Sequence, residues 1–130
     1  MPITILDGGT GRELQRLGAP FRQPEWSALA LLEGPEYVLK CHEKYLEAGA
    51  HVVTTNSYAV VPFHLGEERF KAQGRKLVEL AGRLATDAKR QSRHQARVAG
   101  SLPPVMGSYR PDLFEIKAAT SILKVLIEGL

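Results

Sequence analysis

Short apolar runs ending in polar or glycine-rich clusters alternate along this chain with longer segments of helical periodicity. Ile3 to Leu6 ends in Asp7-Gly8-Gly9-Thr10-Gly11, Val52-Val53 in Thr54-Thr55-Asn56-Ser57-Tyr58, and Val98-Ala99 in Gly100-Ser101-Leu102-Pro103. The intervals are long enough for helical crossovers, so the order reads strand, helix, strand, helix, strand, helix. Such an order predicts an α/β fold with a parallel sheet, whose functional groups gather at the carboxyl ends of its strands.

The helical segments differ in clarity. Arg12 to Leu17 predicts a short helix stopped by Gly18, and Trp26 to Leu32 a second one. Pro35 suits the first turn of a helix running to Ala48, with Val38, Cys41, Tyr45 and Ala48 on one apolar face. The clearest period follows in Leu77, Leu80, Ala81, Leu84, Ala85 and Ala88, ending near Ser92. Strands are expected at Ile3 to Leu6, His51 to Thr55 and Arg97 to Gly100. Pro103, Pro104, Gly107 and Pro111 mark an irregular loop of the kind that carries binding function. Ile116, Ala119, Ile122, Leu123, Leu126 and Ile127 predict a last amphipathic helix, after which a fourth strand would be due.

A length of 130 residues fits one domain, residues 1–130, and is about half of the ~250 residues of a closed eight-unit barrel. The expectation is therefore a partial domain, truncated before the fourth strand. Charged residues at 24% and apolar ones at 44% are those of a globular chain rather than a disordered one. No apolar run approaches a membrane span and no signal-peptide pattern opens the chain, so no membrane partner and a cytoplasmic location are expected. The net charge of +3 comes from residues 71 to 130, with eleven basic and five acidic side chains against six and nine before them. Arg83, Lys89, Arg90, Arg93 and Arg97 lack interleaved aromatics, which points to a solvated helix end and no nucleic-acid partner.

The strand ends carry the candidate chemistry. Asp7 beside Gly8 and Gly9 can hold an ammonium group while the neighbouring amides receive a carboxylate, which suits an amino acid. Two other readings stand beside it: Asp7 only caps the turn that follows, or the loop binds a nucleotide. For the latter, Gly9-Thr10-Gly11-Arg12-Glu13-Leu14 supplies two of three dinucleotide-loop glycines but puts Leu14 at the third position. Thr54 to Tyr58 gathers hydroxyls and an amide that must be paired or line a cavity. His42, His51, His64 and His94 have no metal-ligand spacing and read as surface or packing residues. Cys41, the one cysteine, reads as a small buried hydrophobe.

Taken in order, Leu6-Asp7-Gly8-Gly9-Thr10-Gly11-Arg12-Glu13-Leu14, Trp26-Ser27-Ala28, Ala48-Gly49-Ala50, Thr54-Thr55-Asn56-Ser57-Tyr58 and Ala99-Gly100-Ser101-Leu102 resemble the N-terminal part of the homocysteine S-methyltransferase family. The resemblance implies about three strand-helix units of a zinc-dependent TIM (β/α)8 barrel. It implies transfer of a methyl group to the homocysteine thiol, giving methionine, from S-methylmethionine, betaine or a folate-derived donor. On it, Asp7 holds the substrate amino group, the amides of Gly8 and Gly9 lie against its carboxylate, and Thr55 is a pocket position.

The family's three zinc cysteines, and a glutamate at the fourth strand end, match nothing in this chain. Zinc is thus expected in the complete enzyme and none in this chain alone, which would carry no catalytic or metal residue and be inactive by itself. The competing expectation is a non-catalytic assembly or small-molecule-binding module. Open sheet edges predict self-association in either case.

Overall fold

The computed structural model describes residues 2–130. α1 (Thr10–Arg16) follows the glycine-rich turn and closes where Gly18 takes φ +81°. α2 (Ala28–Glu33) begins two residues later than the sequence predicts, because Trp26 sits at φ +49° and cannot continue a right-handed helix. α3 (Pro35–Glu47) starts at its proline as expected. Its buried face is Val38, Cys41, His42 and Leu46, while Ala48 is exposed beyond the helix end, so the face is rotated towards His42 and Leu46.

The chain then passes through β1 (Val52–Thr54), a single turn α4 (Pro62–Leu65) that the sequence pattern does not reveal, and α5 (Glu67–Gln91). Gly66, at φ +82°, separates α4 from α5. α5 is long because its apolar stripe persists: Phe70, Leu77, Val78, Ala81, Ala85 and Ala88 are buried, with Leu80 and Leu84 half-buried beside them. β2 (Arg97–Ala99), a 3-10 turn at Pro111–Leu113 and α6 (Ile116–Gly129) complete the order. Glu115 caps α6, its carboxylate accepting from the amides of Lys117 at 3.0 Å and Ala118 at 2.7 Å.

β1 and β2 pair in parallel, with Val52 opposite Arg97, Val53 opposite Val98 and Thr54 opposite Ala99. The expected strand at Ile3 to Leu6 is reduced to one parallel bridge, Leu6 to Val52. Its ladder is interrupted because the Ile5 amide donates to the His51 ring at Nδ1, 2.9 Å away, instead of to a backbone carbonyl. The described residues therefore form a two-stranded sheet with an extended segment alongside, rather than three full strands.

α5 lies between α3 and α6 and ties the layers together. The larger core joins Leu14, Leu31, Val38, Val60, Val61, Val78 and Leu126, and a smaller one joins Leu46, Val53, Ala85, Ala88 and Ala96. On α6, Ala119 and Leu126 are buried, whereas Ile116 and Ile127 face outwards. The basic side chains at the end of α5 are exposed as the pattern indicated. Among the described residues no helix is long and apolar enough to cross a membrane.

Candidate functional site

The carboxyl ends of the strands converge on a small set of polar groups. Asp7 leaves the first extended segment with its amide bonded to the Val52 carbonyl at 2.9 Å. Its Oδ2 accepts from the Thr54 amide at 2.7 Å and from Thr54 Oγ1 at 3.0 Å, and Oδ1 has only a longer contact of 3.2 Å with the same hydroxyl. A carboxylate has about four lone-pair sites. Asp7 thus staples the glycine turn to β1 and keeps acceptor capacity on Oδ1.

Gly8 and Gly9 follow on an exposed turn packed against Tyr45 of α3. A Cβ at position 8 would stand 2.9 Å from the Tyr45 hydroxyl, which itself donates to the Gly9 carbonyl at 3.2 Å. A side chain at position 8 would therefore push the Tyr45 ring aside and strain its bond to the Gly9 carbonyl. Gly9 is the N-cap of α1 and no side chain caps that helix.

Thr55, Asn56 and Ser57 are buried in succession directly after β1 ends at Thr54. The Asn56 amide donates to the Ser27 carbonyl at 3.0 Å and draws the start of α2 to this end of the sheet. Thr55, Ser57 and Ser101 form a closed ring. The Ser101 amide donates to Thr55 Oγ1 at 3.0 Å, the Thr55 and Ser57 hydroxyls are 2.7 Å apart, and Ser57 Oγ donates to the Ser101 carbonyl at 2.8 Å. The Ser57 proton being engaged by that carbonyl, Thr55 is the donor between the two hydroxyls.

A cavity of about 290 Å³ opens at this end, lined by Thr10, Gly11, Ser27, Thr54, Thr55, Asn56, Tyr58 and Ser101. Of the residues singled out by sequence, Thr55 lines it directly. Asp7, Gly8 and Gly9 are not among its lining residues; Asp7 is joined to the cavity wall by its hydrogen bonds to Thr54, and the two glycines precede Thr10 and Gly11 of α1 in the chain. The sequence names Thr54 and Ser57 only within the Thr54 to Tyr58 run, and Ser27 and Ser101 only within the Trp26-Ser27-Ala28 and Ala99-Gly100-Ser101-Leu102 motifs. A larger hollow of about 730 Å³, among Ile3, His51, Lys89, His94 and Arg97, lies at the opposite strand ends. The smaller cavity is the better candidate because buried polar groups converge on it and because parallel sheets present ligands at carboxyl ends.

Two titratable groups stand side by side on α3. Cys41 is fully buried, and burial, reinforced by the charges of Glu13 and Asp7, pushes its thiol up to about 12. Burial pushes His42 down to about 4, against a weaker opposite pull from Asp7. The Cys41 thiol does not suit a metal, because it resists the ionisation that ligation needs. Among the described residues no group of three or more His, Cys, Asp or Glu side chains can hold an ion. The residues present therefore do not fit a zinc site.

A family model described as homocysteine S-methyltransferase matches residues 4–124. Homocysteine S-methyltransferase 1 of Brassica oleracea var. italica is 37% identical over 86 residues, covering 65% of this chain and 26% of its own length. Homocysteine S-methyltransferase YbgG of Bacillus subtilis is 30% identical over an alignment covering 93% of this chain and 41% of the relative. The crystal structure of the homocysteine methyltransferase MmuM from Escherichia coli, metallated form, superposes with a TM-score of 0.82 at 30% identity. That match covers 100% of this chain and 50% of MmuM. The chain thus spans between a quarter and a half of the length of these relatives.

Proposed function

The chain belongs to the homocysteine S-methyltransferase family, and from that premise we propose that it forms the amino-acid-binding side of a pocket that presents homocysteine for methylation at its thiol. The observation that carries the reading is the Asp7 carboxylate, fixed by Thr54 beside a polar cavity at the carboxyl ends of parallel strands. In this reading Oδ1 of Asp7 receives the substrate ammonium group. The amides of Gly8 and Gly9 meet its carboxylate, and Thr55 belongs to the pocket wall. The methyl group passes from the donor to the sulfur, the thiol proton is lost, and methionine leaves. S-methylmethionine, betaine and a folate-derived compound are the donor classes considered.

The fold proposed for the whole protein is a TIM barrel of which residues 1–130 are the first units, a reading supported by the superposition of this chain on half of MmuM. The zinc proposed for the complete enzyme is assigned to ligands other than those of this chain, because Cys41 is buried and no suitable cluster accompanies it. The location proposed is the cytoplasm.

Calorimetric titration of the chain with L-homocysteine tests the binding reading. Asp7→Ala is expected to weaken binding by about 2 to 4 kcal/mol, the cost of removing one partner of a sequestered charge pair. Asp7→Asn, which keeps an acceptor for Thr54 but no charge, should lose most of the same affinity. Normal affinity in Asp7→Asn would leave Asp7 with its stapling role only. A second reading, an assembly module, draws on the exposed apolar segment Ile3, Ile5 and Leu6 along the sheet edge.

A further inference from the structure

We propose that Ser57, together with Thr55, is a positioning residue: the two hydroxyls clamp both backbone groups of Ser101 and so fix the start of the loop that walls the candidate pocket. The proposal rests on the homocysteine-binding reading above and names the residues that give that pocket its shape.

The ring is closed. The Ser101 amide donates to Thr55, Thr55 donates to Ser57, and Ser57 donates to the Ser101 carbonyl, over distances of 3.0, 2.7 and 2.8 Å. Ser57 is 0% and Thr55 4% exposed, so water cannot replace a missing member at little cost. Each hydroxyl has its single proton engaged inside the ring. Neither can therefore donate to a ligand; Ser57, which does not line the cavity, acts on binding through Ser101, whereas Thr55 also presents its own surface to the pocket.

Ser101 is where that influence has effect. The neighbouring Thr55 amide donates to the Ala99 carbonyl at 2.9 Å, the last sheet bond before the chain leaves β2. Beyond it, residues 100–110 contain no helix or strand. This loop returns to the pocket at Ser108, whose hydroxyl bonds that of Tyr58, a lining residue. The ring is thus the last buried polar anchor between the sheet and the loop. Ser57 and Ser101 are 44 positions apart, so no local sequence pattern marks the ring.

The test uses the full chain, with amide exchange at Ser101 followed by NMR and L-homocysteine affinity by calorimetry. Ser57→Ala and Thr55→Val should each speed Ser101 exchange by about tenfold to a hundredfold, as expected when a buried partner is left unpaired. Each should also weaken homocysteine about tenfold, and Thr55→Ser, which keeps the hydroxyl, should restore both. Leu46→Ala, a core change in the smaller cluster, should lower thermal stability without changing affinity.

Protection of Ser101 that survives both hydroxyl deletions overturns the proposal. So does unchanged affinity once protection is lost. Failure of the unaltered chain to bind homocysteine overturns the binding reading instead. In that event, loss of Ser101 protection in both variants and its retention in Thr55→Ser still support the positioning role.

Discussion

His42 offers the sharpest test of how this interior is built. Its ring is 1% exposed on the inner face of α3, and among the described residues neither Nδ1 nor Nε2 has a hydrogen-bond partner. Burial holds the imidazole neutral, displacing its proton affinity from the ordinary 6.5 to about 4. At about 1.4 kcal/mol per pH unit, that displacement amounts to about 3 kcal/mol of stability linked to one side chain. An unfolded chain takes up the proton near pH 6.5, whereas the folded one refuses it until about pH 4. Between those limits the unfolded state binds more protons, so stability is complete above 6.5, falls as the pH drops, and levels off below about 4 for this group. Urea denaturation of the native chain and of His42→Leu at pH 7.5, 6, 5 and 4 measures it. Carboxylates titrate in both proteins and cancel in the difference. The variant should lose less stability on acidification by about 3 kcal/mol in total. At neutral pH it should stand within about 1 to 3 kcal/mol of the native protein, since an unpaired buried polar group is removed with the ring. Parallel pH profiles, or an imidazole that titrates near 6.5 in the folded protein, would refute the reasoning.

Other outcomes follow from the same geometry. Cys41, buried with its thiol pushed up to about 12, should be inert to disulfide reagents at pH 8 in the native chain and react fully in denaturant; stoichiometric labelling before unfolding would contradict its packing. Gly107 has φ +105° and a Cβ there would approach the Phe63 ring to 2.7 Å. Gly107→Ala should therefore cost about 1 to 3 kcal/mol in a thermal melt, and an unchanged melting temperature would count against the loop conformation. The exposed edge at Ile3, Ile5 and Leu6 should drive concentration-dependent association in sedimentation. A stable monomer at micromolar concentration would remove the assembly reading.

Much of the fold was legible because its signals are local. The period of α5 is read from Leu77, Leu80, Ala81, Leu84, Ala85 and Ala88, although the structure buries Val78 and leaves Leu80 and Leu84 half-buried, and Pro35 and Gly18 mark a helix start and a helix end by backbone chemistry alone. The failures have equally local causes. Trp26 at positive φ delays α2, and α4 is a single turn, too short to show a period. The first strand shrinks to a bridge because the His51 side chain captures the Ile5 amide from 46 positions away.

The candidate site divides along the same line. The motif order around Asp7, Thr54 to Tyr58 and Ser101 placed the chain in its family and put its polar groups at the strand ends, since residue type and sequence order survive without coordinates. Sequence could not say that Thr54 fixes Asp7, that a side chain at position 8 would displace Tyr45, or that Ser57 donates to the Ser101 carbonyl. Those are contacts between residues brought together only when α3 and the strand ends pack side by side. Hydrogen bonds and steric exclusion act over about 3 Å in space, and the sequence records neighbours along the chain, so tertiary packing alone decides which hydroxyl meets which partner.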